Sequence, residues 1–464
     1  METIKPNPLM VERVHFIAIG GSAMHSLAIA LSRKGKTVSG SDDTIFDPSL
    51  SKLKAAGLLP EQMGWFPEKI TTDLSAVILG MHAKKDNPEL LRAQELGLKI
   101  YSYPEYLYHI NQEKTRIVIA GSHGKTTITA MILHVLHYHQ VPIDYMIGAA
   151  LEGYENAVHL TEDNDFVLLE GDEYLSSPID SRSKFLWYEP HLAVISGIAR
   201  DHVNVFPTDA SYVEQFEKFI ASIQPGGVLI YNSEDPVVSR LALASQNTIK
   251  KTSYTTAQHT IQAGVTYLQT DEGGVPLSVF GEHNMSNLSA ALWICQLVGV
   301  SEEAFMEAIP SFRGASKRLE RLAKGKSSWL FKDFAHAPSK VQATTAAVKK
   351  QFESKKVLAC LELHTYSSLN PEFIPAYQNT MDAADEAFIF YDPAALKIKN
   401  RPDLSVESIE AAFQHPNLKV FTQPEALHQQ LQSMDYQDTV LLMMSSGNYG
   451  TMDWEALIRQ LTLF

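Results

Sequence analysis

Ala120-Gly121-Ser122-His123-Gly124-Lys125-Thr126-Thr127 decides how this chain is read. The run leading into it, Arg116-Ile117-Val118-Ile119-Ala120, is apolar and β-branched, which predicts a buried strand. Thr127 to Gln140, just after it, carries apolar residues at helical spacing. Strand, glycine loop, lysine, hydroxyl and helix together make a cradle for a nucleoside triphosphate. Backbone N–H groups and the helix N-terminus face the phosphates, the lysine adds a point charge, and a threonine hydroxyl reaches Mg²⁺. The full pattern asks for glycine at position 119, where this chain has Ile119, so the loop is a shortened Gly-x-x-Gly-Lys-Thr-Thr. An ordinary turn before a helix needs the glycines but not a lysine followed by two threonines.

Bulk properties narrow the partners. At 464 residues the chain is long enough for about three domains. Hydrophobic residues make up 45% and charged residues 20%, a globular balance. A net charge of −14 argues against a general nucleic-acid binder, because phosphate backbones demand basic surfaces. Cys295 and Cys360 are the only cysteines; both lie in apolar runs and lack metal-ligand spacing, so they read as reduced core thiols. No stretch is long and apolar enough to span a membrane, and Met1 to Met10 has no signal-peptide core. The expectation is a soluble cytoplasmic protein with no membrane partner.

Upstream of the loop, Val14 to Ile19 reads as a strand, then Gly20-Gly21-Ser22-Ala23-Met24 opens a helix ending near Gly35. A second strand, Thr37 to Ser41, ends on Asp42. This βαβ opening places an acidic residue where a dinucleotide site has one. Ala23 and Met24 stand where the third glycine of that fingerprint belongs, so a nicotinamide cofactor fits poorly. The glycine turn still suits a pyrophosphate such as that of a nucleotide-sugar, with Gly20, Gly21, Ser22, Ser41 and Asp42 as candidates. Further alternation of strands and helices predicts a small Rossmann-like domain over residues 1–111.

Downstream, Phe166 to Leu169 is an apolar strand running into Glu170-Gly171-Asp172-Glu173-Tyr174, and His191 to Ser196 leads to Arg200-Asp201-His202. Such groups at the C-terminal ends of strands belong where α/β sheets bind ligands. Glu170, Asp201 and His202 are therefore candidates to converge on phosphate-bound Mg²⁺; a histidine ligand suits Mn²⁺ equally. Asp172 and Glu173 read equally well as a solvated acidic turn. Thr266 to Phe280, broken at Gly273-Gly274, predicts a hairpin, and Gly281-Glu282-His283-Asn284 caps a helix to Val298. A central ATP-binding α/β domain over 112–312 follows.

Phe312-Arg313-Gly314-Ala315-Ser316-Lys317-Arg318 reads as a linker whose basic residues can reach a terminal phosphate. Beyond it strands and helices alternate again, which predicts a second doubly wound, Rossmann-like domain over 313–464. Asp333-Phe334-Ala335-His336-Ala337-Pro338 and Ser445-Ser446-Gly447-Asn448-Tyr449-Gly450 both sit at strand-to-helix turns, on ligand-facing ends.

Taken together, the loop, Glu170 to Tyr174, Arg200 to His202, Gly281 to Asn284, Phe312 to Arg318 and Asp333 to Pro338 follow the motif order of the Mur ligases, which the chain resembles over nearly its whole length. Gly20 to Met24 and Gly40 to Asp42 resemble the branch that accepts UDP-N-acetylmuramate. Asp180-Ser181-Arg182-Ser183-Lys184-Phe185 is similar to a run in ligases that attach the recycled tripeptide L-Ala-γ-D-Glu-meso-diaminopimelate. The L-alanine-adding enzymes usually lack it, and L-alanine stands as the alternative amine.

The resemblance implies transfer of the ATP γ-phosphate to the muramyl lactyl carboxylate, followed by attack of an amine on the acyl phosphate. It assigns Lys125 to the β/γ-phosphates, with Gly121, Gly124 and Thr127 in the cradle. Thr126 and Glu170 take one Mg²⁺ and His202 a second metal. His283 and Asn284 go to adenine, Arg318 to the γ-phosphate and Asp333 to the ribose. His336 lies near the reacting groups with no assigned role. The division of ATP contacts between Lys125 and Asp333 implies domain closure. Some relatives carry a carbamylated lysine where this chain has Phe216, with Lys218 two residues on, so no carbamylation is expected. His364 stands where tripeptide ligases tend to carry an arginine, which makes it the candidate contact to the amine substrate. The oligomeric expectation is a monomer or weak homo-oligomer. The readings from other classes are a regulatory nucleotide-binding homologue and an NAD(P) oxidoreductase using Gly20, Gly21 and Asp42.

Overall fold

The structure is a computed structural model that describes residues 13–148, 151, 153–154, 156–200, 205–262, 264–315, 318–398, 402, 404–450 and 452–463. Two compact units make up the chain, Met1–Ile198 with Asp209–Tyr254, and Ala199–Thr208 with Thr255–Phe464.

Among its described residues the first unit carries two larger sheets and a two-stranded hairpin. One is all parallel, in the order Thr37–Ser41, Arg13–Ile17, Ala76–Leu79, Ile100–Ser102. The strand Ala76–Leu79 is buried along its whole length, as a parallel strand covered on both faces must be. The helix Ser22–Arg33 leaves the first strand through Gly20-Gly21 and buries Met24, Leu27, Ala28 and Leu31.

The second sheet runs in the order Lys250–Tyr254, Val228–Asn232, Leu192–Ile195, Thr115–Ala120, Phe166–Gly171, Asp144–Met146, Val158–His159, and every pairing is parallel except the last. The loop-bearing strand Thr115–Ala120 therefore lies inside the sheet. Ile119 sits opposite Val194 on one side and Glu170 on the other, fully buried. That pairing explains the missing glycine, because position 119 belongs to the strand and the turn begins only at Gly121.

Two cations fix the entry to this sheet. Arg116 is buried and donates to the carbonyls of Gln112 at 2.8 Å, Asn111 and Lys114 at 3.3 Å, Tyr188 at 2.8 Å and Glu189 at 3.0 Å. Lys114 Nζ donates to Asp144 at 2.5 Å and to the Thr161 carbonyl at 2.8 Å.

In the second unit, the expected hairpin after residue 265 forms as Val265–Thr270 with Gly273–Leu277. It gains a third antiparallel strand, His259–Gln262, absent from the sequence reading. The helix Glu282–Leu297 follows. A larger sheet has the order Glu320–Lys324, Trp329–Asp333, Thr439–Met444, Lys356–Glu362, Glu386–Phe390, Leu418–Phe421, parallel but for its first pair. Along Thr439–Met444, Val440, Leu442 and Met444 join one apolar core while Leu441 and Met443 join another, so both faces are covered. Cys295 and Cys360 are free thiols in the cores, and burial pushes both well up from their ordinary range. The α/β class with doubly wound sheets is as the sequence predicts. Among the described residues, no helix is long and apolar enough to cross a membrane.

Candidate active site

The glycine loop closes on the end of the neighbouring strand. Ser122 N–H donates to the Gly197 carbonyl at 2.9 Å, and the Ser196 hydroxyl reaches the carbonyls of His123 and Ala120. Gly121 has φ of 134°, and a Cβ there would stand 2.1 Å from Ser196 Oγ, so this position requires glycine on both counts. Gly124 has φ of 81° and caps the helix Lys125–Tyr138. The helix begins at Lys125, two residues before the spacing predicts, because Gly124 takes a positive φ at its N-cap that other residues rarely adopt. The lysine and both threonines thus occupy the first turn, where unsatisfied backbone N–H groups make an anion site.

Three carboxylates surround this turn. Thr126 Oγ1 donates to Glu170 Oε1 at 2.5 Å, and Gly148 N–H donates to Glu170 Oε2 at 2.6 Å. Lys125 Nζ donates to the Gly121 carbonyl at 2.5 Å and to Glu173 Oε2 at 2.8 Å. Burial alone would lower the Lys125 ammonium, but Glu173, Asp172 and Glu170 outweigh it and hold its pKa above the usual lysine range. Asp172 accepts from Lys184 Nζ at 2.6 Å. Glu173 is not part of a solvated turn: it is 1% exposed, and its other oxygen accepts from the Tyr212 hydroxyl at 2.6 Å. Tyr212 in turn lies 2.8 Å from Ser122 Oγ.

The donor set of Thr126 and Glu170 is one hydroxyl and one carboxylate, both hard oxygens, which fits Mg²⁺. His202 and Asp201 lie outside the described residues. Among those described, no group of three His, Cys, Asp or Glu side chains stands at metal-binding range. Phe216, at the position of the carbamylated lysine, is buried against Phe185 and Tyr212, and Lys218 pairs with Glu214 at 2.9 Å.

The first unit also holds the glycine turn expected for the nucleotide-sugar. Gly20 N–H donates to Asp42 Oδ2 at 2.7 Å, and a Cβ on Gly20 would stand 2.9 Å from that same oxygen. Burial raises Asp42 above the ordinary carboxylate range, against the Gly20 and Thr44 hydrogen bonds. The backbone carbonyl of Ser41 accepts from Ala18 and Ile19, and Ser22 opens the helix. Lys69, unmarked in the sequence, reaches Ser41 Oγ at 3.5 Å and stacks over Phe66. Beneath Gly21, buried His25 places Nδ1 3.0 Å from the Gly21 carbonyl and 3.0 Å from Ser49 Oγ. Burial lowers its pKa, against the Gly21 hydrogen bond and with help from Lys52.

In the second unit Asp333 ends the strand Trp329–Asp333 and accepts from Leu319 N at 2.7 Å and Ala335 N at 2.6 Å. Burial raises its pKa in spite of Arg318 and both N–H donors. Arg318 stacks over Phe334 at 4.5 Å, and His336 Nδ1 lies 2.8 Å from the Phe334 carbonyl, so Arg318 packs on the turn that carries Asp333 and His336. Asn284, in the first turn of Glu282–Leu297 beside His283, is buried and donates to the Phe280 carbonyl at 2.8 Å. His364 is half-exposed, 3.8 Å from buried Glu362. Glu362 accepts from Ser445 Oγ and from Tyr449 N at 2.9 Å. Sequence reading missed Glu173 as a buried group, together with Tyr212, Ser196, Lys69 and Glu362. The apolar runs before Ser196 and Glu362 offered a signal, since both mark strand ends.

Against known proteins, residues 119–295 match the Mur ligase middle domain and residues 13–115 the Mur ligase family catalytic domain. The UDP-N-acetylmuramate–L-alanine ligase of Carboxydothermus hydrogenoformans is 31% identical over 366 residues, 76% of either chain. Among solved structures, a murein peptide ligase from Psychrobacter arcticus superposes with a TM-score of 0.67 at 22% identity, covering 98% of this chain and 99% of that one. The UDP-N-acetylmuramate–alanine ligase of Thermotoga maritima gives 0.68 at 20% identity, covering 97% and 98%. With the loop, its carboxylates and these relationships in place, the chain belongs to the Mur ligase family, whose members are ATP-dependent ligases that form amide bonds.

Proposed function

We propose that this protein joins UDP-N-acetylmuramate to the tripeptide L-Ala-γ-D-Glu-meso-diaminopimelate in the cytoplasm, through an acyl phosphate formed at the expense of ATP. The observation that carries the phosphoryl chemistry is the first helical turn, where Lys125 meets Glu173 and Thr126 meets Glu170. A bare carboxylate is a poor electrophile, so ATP supplies the leaving group and the protein positions and neutralises charge. Lys125 and the N–H groups of Gly124, Thr126 and Thr127 receive the phosphates. Thr126 and Glu170 hold Mg²⁺, with His202 assigned to a second metal by family resemblance. Magnesium, when bound, shields and orients phosphate oxygens. Gly20, Gly21, Ser22, Ser41 and Asp42 serve the UDP-sugar. By the same carry-over Arg318 serves the γ-phosphate, Asp333 the ribose, and His283 and Asn284 the adenine; His336 stays near the reacting groups. The corresponding domains are 1–111, 112–312 and 313–464.

The tripeptide reading is supported by the run at Asp180, which forms the hairpin Leu175–Ser177 with Asp180–Ser183. Arg182 lies 3.8 Å over the Trp187 ring, and Trp187 Nε1 donates to Asp180 at 2.9 Å. The second reading, L-alanine as the amine, is favoured by His364 in place of an arginine and by the names of the sequence relatives. A single assay decides between them: the mass of the UDP-linked product formed from ATP and UDP-N-acetylmuramate with L-alanine and tripeptide offered in competition. Incorporation of tripeptide supports the proposal, and incorporation of L-alanine alone refutes it.

A further inference from the structure

We propose that Glu173, anchored by Tyr212 and Ser122, is the positioning residue for Lys125 and aims its remaining N–H at the nucleotide phosphates. This rests on the reading of Lys125 as the phosphate ligand.

The hydrogen-bond directions are forced. An ionised carboxylate only accepts, so the Tyr212 hydroxyl gives its proton to Glu173 at 2.6 Å. Tyr212 then has only lone pairs for Ser122 Oγ at 2.8 Å, so Ser122 is the donor there. Lys125 meets the other Glu173 oxygen at 2.8 Å. A chain of bonds thus leaves the glycine loop at Ser122, passes through Tyr212 of the helix Asp209–Ser222 and Glu173 beyond Gly171, and returns to the loop at Lys125. Tyr212 and Glu173 are almost wholly buried, so the carboxylate cannot swing away to solvent.

An ammonium has three N–H donors on a flexible four-carbon stem and no directional preference of its own. Here the Gly121 carbonyl at 2.5 Å and Glu173 take two of them. The third is left with a defined direction. Ordering that stem before the nucleotide arrives removes part of the entropy cost of placing it during phosphoryl transfer. A carboxylate that only balanced charge would need neither the tyrosine nor a link back to the loop.

The test uses the full-length protein with Glu173→Gln, Tyr212→Phe and the double variant. ADP release is followed with ATP, UDP-N-acetylmuramate and whichever of L-alanine and tripeptide the wild type uses, alongside the thermal unfolding midpoint. We expect Glu173→Gln to lower kcat on the order of 10- to 100-fold, with the KM for ATP within about threefold of wild type. Tyr212→Phe lowers kcat less, and the double variant is no worse than Glu173→Gln, because both changes cut one chain. Tyr212→Phe alone carries the test if Glu173→Gln does not fold, through a lowered kcat at an unchanged KM. An unchanged kcat overturns the proposal, as does additive loss in the double variant or a fall in kcat that merely follows the melting point. Absence of ADP release by wild type with either amine brings down the ligase reading, and this proposal with it.

Discussion

Thr126 donates its hydroxyl hydrogen bond to Glu170 across 2.5 Å, joining the first turn of the helix Lys125–Tyr138 to the neighbouring strand. The same two oxygens are the proposed ligands of one Mg²⁺. Glu170→Gln keeps the shape and removes the charge, so kcat should fall about 100-fold or more and half-saturation should move to higher Mg²⁺. Thr126→Ala should shift the Mg²⁺ curve in the same direction by less. ADP release across a MgCl₂ titration checks both, and a curve superimposable on wild type would remove Glu170 from the metal site.

Lys125→Ala removes the cation from the loop and also takes from buried Glu173 its ammonium partner. Turnover should drop by about 1,000-fold, and folding stability by on the order of 3 kcal/mol, since a buried carboxylate loses its counter-charge. Lys125→Met combined with Glu173→Gln should recover most of the stability and none of the turnover. Urea unfolding beside the activity assay separates the two effects; a single variant as stable as wild type contradicts the buried pair.

How much of this was readable from the residues depends on what each one touches. Lys125, Thr126 and Glu170 announce themselves because a strand, a glycine turn and a helix start are local patterns, and strand ends are where ligands bind. Glu173 did not, because acidic turns look alike until a tyrosine far along the chain, Tyr212, is seen to cover one of them. Ile119 looked like a defect in the loop and is instead a strand residue, a distinction set by its cross-strand neighbours Val194 and Glu170. His259–Gln262 escaped for a related reason. Its alternation is half-exposed and weak, and it forms a strand by pairing with Val265–Thr270.

Gly121→Ala places a methyl 2.1 Å from Ser196 Oγ at a φ of 134°. The variant should lose about 1–3 kcal/mol and bind ATP measurably more weakly. Adding Ser196→Ala removes the collision but not the backbone strain, so it should restore only part of the loss. Full restoration would show that φ does not constrain this loop.

His25 supplies a pH prediction. Burial lowers its folded-state pKa, so the unfolded chain takes up the proton first as the medium acidifies. The stability associated with neutral His25 is complete above its ordinary value of 6.5 and is lost as pH falls from there through the folded value. His25→Gln should therefore show a shallower decline of the urea midpoint between about pH 7 and 5. Parallel declines in the two proteins would exclude His25 as the cause.

Arg116 bears on where the protein can be cut. Its guanidinium is spent on carbonyls both before the strand, at Asn111, Gln112 and Lys114, and across it, at Tyr188 and Glu189. Residues 111–116 are thus a riveted seam rather than a tether. A central fragment that began at residue 116 would lose the carbonyls on one side and leave Nη1 of the buried guanidinium without its acceptors. One begun upstream of Asn111 would keep the rivet, and that choice decides whether the loop-bearing sheet is worth expressing by itself.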